Sequence, residues 1–278
     1  SRMFNSNQAM SLAPTTAIRS IVHYRVLILD MIKREVVGRY RGSVMGLLWS
    51  FFTPVLMLVV YTFVFSVVFQ ARWTGGSGSK TEFAVVLFIG MMIFGLFAEC
   101  MNRAPSLILS NANYVKKVIF PLEILPVVAL GAALFHFAVS MLVWLLFYGV
   151  LFGVPSMQAL WLPLVLLPLA LMCLGISWLL ASLGVYLRDV GQVIAVVTTA
   201  MMFMSPVFFP VAAMPEAFRP YLYLSPLTYF IEQSRDLLIW HGSMHWMTWF
   251  QMLGLSLAMV VLGFAWFQKT RKGFADVI

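Results

Sequence analysis

The chain has 278 residues, 62% of them hydrophobic and only 10% charged, with a net charge of +8. That balance lies outside the range of soluble globular domains and leaves no stretch for a soluble catalytic domain, so it describes a polytopic membrane protein. The basic residues sit beside apolar runs, which assigns them to membrane topology and anionic lipid and argues against nucleic acid as a partner.

Ser1 is not a translation start, so Ser1 and Arg2 read as added residues, and the polar stretch to Thr16 does not resemble a cleavable signal peptide. From residue 16 to 40, Ile18, Ile21, Val22, Val26, Leu29, Met31 and Ile32 alternate at helical spacing with Arg19, Arg25, Lys33 and Arg34. This predicts an amphipathic helix lying in the inner interface. The basic group Lys33, Arg34, Arg39 and Arg41 then runs into 28 uncharged residues, 42–69. At ~1.5 Å per helical residue these exceed the hydrocarbon core and fit a tilted first span at 44–69. Gly42 and Gly46 form a small-xxx-small pair at its start, where another helix can approach. Tyr61, Phe65 and Phe69 recur on one face of this span. Such a stripe either packs against a neighbour or, as a second reading, offers flat rings to sugars along a translocation path.

The glycine-rich loop 70–82 is not a phosphate loop, because no Gly directly precedes Lys80 and the loop follows a membrane helix instead of a strand. Span two is expected at 83–98, with Glu99, Asn102 and Arg103 bringing the chain back to the inner face. A cytoplasmic segment, 104–121, follows and carries Asn111, Tyr114, Val115, Lys116 and Lys117. The next 64 residues, 124–187, hold no charge and would run to about 96 Å as one helix, so they must fold back. The turn cluster Gly153, Pro155, Ser156 and Gln158 divides them into span three at 124–152 and span four at 159–187. His136 in span three has no acidic partner within that span, which favours packing or a hydrogen bond to Ser140.

Arg188 and Asp189 make an inner turn before span five at 190–215, whose outer end is disturbed by Pro206 and Pro210. Residues 211–242 are nominally long enough to cross, yet they carry Glu216, Arg219, Glu232, Arg235 and Asp236 with three prolines. A charge at the bilayer centre costs roughly 2.5 to 3.5 kcal/mol, so a re-entrant hairpin open to the outside is predicted, with Tyr223 among its interfacial rings. Glu232, Asp236 and Arg235 read as a structural ion pair. Span six at 244–267 ends in Lys269, Arg271 and Lys272. With six spans, fourteen basic residues lie inside and four outside, so both termini are cytoplasmic. The chain therefore divides into a cytoplasmic N-terminal segment 1–43, a membrane domain 44–268 and a tail 269–278. Cys100 and Cys173 lie in apolar runs without a CxxC pair, against a zinc or disulfide site. The pattern identifies no catalytic, cofactor or metal residues.

Three stretches resemble the permease subunits of ABC-2 type exporters, most closely those that export O-antigen and related bacterial surface polysaccharides on a lipid carrier. The first is Lys33, Arg34, Glu35, Arg39, Tyr40, Arg41, Gly42, Ser43, Gly46, Trp49 and Pro54, with the run from Val60 to Phe65. The second is Asn111, Tyr114, Val115, Lys116, Lys117, Val118, Ile119, Phe120, Pro121, Glu123 and Pro126; the third joins Ser205, Pro206, Pro226, Glu232, Arg235, Asp236 and Gly242 to the tail Phe274, Ala275, Asp276 and Val277. The family often has Asn where this chain has Ser225. The resemblance implies a homodimeric pore in the bacterial inner membrane, served by two separate ATP-binding cassette subunits that hold ATP and Mg. It also implies an interfacial helix before span one, an ATPase-docking helix within 104–121, and two short helices re-entering from outside between spans five and six. Capsule or teichoic acid export by the same family is an alternative. An ion-coupled transporter is a rival reading, but its charges would sit at mid-membrane and here they lie at span ends. An integral membrane enzyme acting on lipid-linked sugars is another, with the outer acids Glu216, Glu232 and Asp236 as the set it could use.

Overall fold

The computed structural model describes residues 11–117 and 119–278. Residues 1–10, Arg2 among them, and Val118 lie outside the described residues. Every regular element described is helical: α1 (Pro14–His23), α2 (Arg25–Arg39), α3 (Leu48–Thr62), α4 (Lys80–Arg103), α5 (Ala112–Val115), α6 (Leu125–Phe152), α7 (Leu162–Tyr186), α8 (Val190–Met204), α9 (Arg219–Leu222), α10 (Pro226–Leu238), α11 (Trp246–Thr270) and α12 (Phe274–Val277). Five stretches are long and apolar enough to cross a bilayer, Leu48–Val68, Lys80–Ser106, Leu122–Phe152, Met157–Tyr186 and Trp246–Val277. The chain is a multi-pass membrane protein.

Two of these spans form the centre. In α4 and α7, 67% and 61% of the apolar window is buried, against 11% for the span built on α3, whose outer face is left to lipid or to another chain. Indole N–H groups tie neighbours to this centre: Trp144 of α6 donates to the Val85 carbonyl of α4 at 3.0 Å, and Trp249 of α11 donates to the Leu164 carbonyl of α7 at 2.9 Å. The α7 and α11 backbones touch where Gly175 faces Gly263, since a Cβ on either would overlap the other helix's main chain. In lipid, such close approach replaces the hydrophobic drive that packs helices in water.

Four expectations change at the level of elements. The single interfacial helix is two, broken at Tyr24 (φ −97°, ψ 18°), because α1 packs on α11 while α2 packs along α6. Gly42 (φ 85°) and Gly46 (φ 55°) sit in the left-handed region and serve a turn between α2 and α3, and among the described residues no helix approaches them. The first span consequently starts at Leu48, and its last turn, Phe63–Val68, is π-helical. The helix expected over 190–215 stops at Met204, because Ser205 precedes Pro206 and is extended (φ −112°, ψ 158°). At ~1.5 Å per residue its 15 residues rise only about 22 Å.

Candidate functional site

The segment after α4 is held from three sides. At its start, Arg103 donates to the Glu35 carboxylate of α2, whose other oxygen is buried with no partner among the described residues. In the middle, Asn111 donates to the Leu107 carbonyl at 2.7 Å, and the Tyr114 ring stacks on Phe120 with centroids 4.1 Å apart. Lys117 lies 5.6 Å over that same ring. At its end, Glu123 accepts from Arg271 at 2.6 Å and from the Ser20 hydroxyl of α1 at 2.6 Å. Arg271 also reaches the Phe120 carbonyl at 3.1 Å, and Trp178 of α7 donates to the Glu123 carbonyl at 3.0 Å. This buried pair therefore joins α1, the foot of the segment, α7 and the C-terminal turn. Lys116, Lys117 and Ile119 remain exposed, Ile119 at 89%, while Asn111, Tyr114 and Val115 are half-buried.

His136 corrects a sequence expectation. Its Nδ1 lies 2.8 Å from Glu99 Oε1, across the α6–α4 interface, and Arg39 Nη1 at the end of α2 lies 3.3 Å from the same oxygen and 3.1 Å from the ring. The acid at the predicted end of span two is thus the partner that span three lacked, and no bond to Ser140 is made. Among the other basic residues of the interface, Lys33, Arg34 and Arg41 are exposed.

On the first span, Tyr61 and Phe65 pack on Phe208 from the segment following α8, with centroids 5.3 and 4.6 Å away, while Phe69 is 67% exposed. The structure thus packs two rings of the stripe on Phe208 and leaves the third largely exposed, with its ring 5.9 Å from Phe65.

In the segment after α8, Arg235 does not pair with Glu232 or Asp236. It is 1% exposed and donates to the carbonyls of Val86 (3.1 Å), Val207 (2.8 Å) and Pro206, with the Trp73 ring 4.2 Å away. Gly90 leaves the space that the guanidinium fills. The ion-pair expectation fails because the 205–210 strand of chain has lost helical partners for its carbonyls, and a planar five-donor fork satisfies several at once. Burial lowers the Arg235 pKa to about 9, which Glu232 opposes, and the group stays cationic at neutral pH. Burial likewise raises the carboxyl of Glu232. Asp236 stands 4.0 Å from His245. Glu216 is exposed and 4.0 Å from Arg219, which itself donates to the Met214 and Ala212 carbonyls, and Tyr223 is exposed beyond them. Glu232 and Asp236 thus stand one turn apart on α10, while Glu216 sits with Arg219 in the segment before it. Ser225 hydrogen-bonds Ser205 at 2.9 Å, so this hydroxyl ties the turn before α10 to the end of α8.

The profile of ABC-2 type transporters matches residues 26–239, from the first turn of α2 to the residue after α10. The chain belongs to the ABC-2 type transporter family. It is 28% identical over 200 residues to the O-antigen export system permease protein RfbA of Myxococcus xanthus, covering 72% of this chain and 74% of that one. It is 23% identical over 253 residues to the RfbA of Klebsiella pneumoniae, covering 91% and 95%. The polysialic acid transport protein KpsM of Escherichia coli is 25% identical over 217 residues, covering 76% and 81%. In this ABC-2 transporter chain the matched stretch contains both the 104–121 segment and the segment bearing Arg235. Sequence reasoning missed two features, the Glu123–Arg271 pair, whose arginine lies beyond the matched stretch, and the Arg39–Glu99–His136 cluster within it. The one signal was that Glu99 and Glu123 are acids bordering apolar runs.

Proposed function

We propose that the chain is the permease subunit of an ATP-driven exporter that moves lipid-linked surface polysaccharide of the O-antigen type across the bacterial inner membrane. The observation that carries this is end-to-end similarity to a permease named for O-antigen export, over 91% of this chain and 95% of that protein. Capsular polysaccharide is the second reading, favoured by the similarity to a polysialic acid transport protein.

In this reading the membrane domain is 44–268, flanked by cytoplasmic segments 1–43 and 269–278. Helix α8 with the 205–210 extension makes a sixth crossing, both termini are cytoplasmic, and 211–242 re-enters from outside. Two copies form the pore, with Tyr61, Phe65 and Phe69 along the path and Glu216, Arg219, Tyr223, Glu232, Arg235 and Asp236 around the exit. ATP and Mg reside on two separate cassette subunits, and 104–121 is where such a subunit docks. Support for docking comes from Lys116, Lys117 and Ile119, exposed above a segment whose foot is anchored by Glu123. A membrane enzyme has less support, because the similar proteins are named as permease and transport proteins. Cells lacking the chain are expected to lose surface polysaccharide and accumulate its lipid-linked form inside, with both restored by the cloned gene. Unchanged surface polysaccharide in the deletion overturns the proposal.

A further inference from the structure

A cleft of about 260 Å³ opens between α2, the segment after α4 and the start of α6. Its floor is apolar, with Leu125 and Val128 at the head of α6, and its rim is polar, with Arg34, Glu35, Arg103 and Tyr114. Glu35 is engaged by Arg103 through one oxygen, so their charges cancel, while its other oxygen is buried with no partner among the described residues. Among the described residues, neither the Arg34 guanidinium nor the Tyr114 hydroxyl makes a hydrogen bond. The rim thus carries one uncompensated positive charge and a free hydroxyl donor beside it, above apolar wall that runs into a membrane span.

We propose that this cleft binds the headgroup of an anionic phospholipid. One phosphodiester matches the rim in charge: Arg34 donates to its oxygens in a charge-assisted fork, Tyr114 adds a neutral donor, and the acyl chains follow the α6 face. A zwitterionic headgroup carries no net charge to match the rim's single positive one. A free phosphate would leave the apolar floor uncovered. Because Tyr114 belongs to the segment proposed to meet the ATPase, lipid occupancy would stiffen that segment from the membrane side. The proposal takes from the exporter reading only the interfacial position of α2, and lipid retention is measured without reference to export.

The test uses the full chain in mild detergent, titrated with phosphatidylglycerol, phosphatidylcholine, inorganic phosphate or a polyprenyl diphosphate, with bound lipid counted by native mass spectrometry. Phosphatidylglycerol is expected to be retained at one molecule per chain ahead of phosphatidylcholine. Arg34→Gln should weaken that retention about tenfold, and Arg34→Lys should recover part of it. Arg19→Gln removes the same charge from the exposed side of α1, outside the cleft, and should change nothing. Tyr114→Phe, which keeps the ring on Phe120, should weaken retention less than Arg34→Gln does, and it serves as the reporter if that variant is poorly produced. Four outcomes overturn the proposal: equal loss with Arg19→Gln, which means diffuse charge; displacement by inorganic phosphate, which means a plain ion site; stoichiometric displacement by the polyprenyl diphosphate, which makes the cleft a substrate station; and unchanged retention in both Arg34→Gln and Tyr114→Phe.

Discussion

Glu123 and Arg271 are 148 positions apart in the chain and each side chain is only 12% exposed. Two charges so placed lose most of their hydration, and the pair is supported by further bonds: Ser20 donates to Glu123, and Arg271 donates to the Phe120 carbonyl and the Gln268 side-chain oxygen. Removing one partner strands the other, at about 3–5 kcal/mol. Arg271→Ala is therefore expected to lower the melting temperature of the detergent-solubilised protein sharply, whereas Lys272→Ala, one residue on and exposed, leaves it unchanged. Equal melting of Arg271→Ala and the parent chain would show that the pair contributes nothing. The same separation explains what was not legible beforehand. Both residues are visible in the sequence as charges flanking apolar runs, but spacing reports only neighbours on one helix, and this partner arrives from the far end of the chain. His136 repeats the lesson, since its acid lies on a different span, 37 positions earlier.

Helices α6, α7 and α11 start and stop within a few residues of the places where charge and turn residues put them, because a bilayer demands about twenty apolar residues per crossing and leaves little choice. Helix α8 departs from that rule. Its apolar run continues past Met204, but X-Pro geometry ends the helix, and non-helical backbone at membrane depth is tolerated only when protein satisfies its polar groups. Arg235 does this for Pro206 and Val207, so the extension and α10 are one structural unit. Hydropathy alone could not show it, since Arg235 reads there as a charge to be kept out of the membrane. Arg235→Leu should leave carbonyls unpaired at about 1–3 kcal/mol each. Arg235→Lys should rescue little, because one ammonium cannot reproduce the planar fork. Yield and thermal stability of the purified variants measure this, and a Leu variant as stable as the parent refutes the strut. For the 104–121 segment, Tyr114→Asp or Val115→Asp is expected to uncouple ATP turnover from export while the chain still inserts. The readout is ATPase rate against surface polysaccharide, and unchanged export in both variants counts against docking there.

At the scale of the whole molecule, the decisive question is which side of the membrane carries the segment between α8 and α11. Five spans alone give an odd number of crossings; on the proposed reading α8 and its extension make the sixth, and both termini then lie on the basic, inner side that the distribution of Lys and Arg favours. If α8 did not cross, the α9–α10 segment and the N-terminus would share a side. Its polar groups are open to solvent: Glu216 is 91% exposed beside Arg219, and Tyr221 and Tyr223 are exposed too, which fits the proposed outward-facing segment. Cys100 and Cys173 are both buried, so replacing them gives a background without thiols. Single cysteines at Glu216 and at Lys116, both exposed, then probe opposite faces. The Glu216→Cys protein is expected to react with a membrane-impermeant maleimide added to intact spheroplasts, and Lys116→Cys only after permeabilisation. The reverse pattern would invert the topology. Labelling of both only after permeabilisation would leave α8 inside the bilayer without crossing it, reducing the crossings to five and moving the carbonyl strut at Arg235 to the cytoplasmic side.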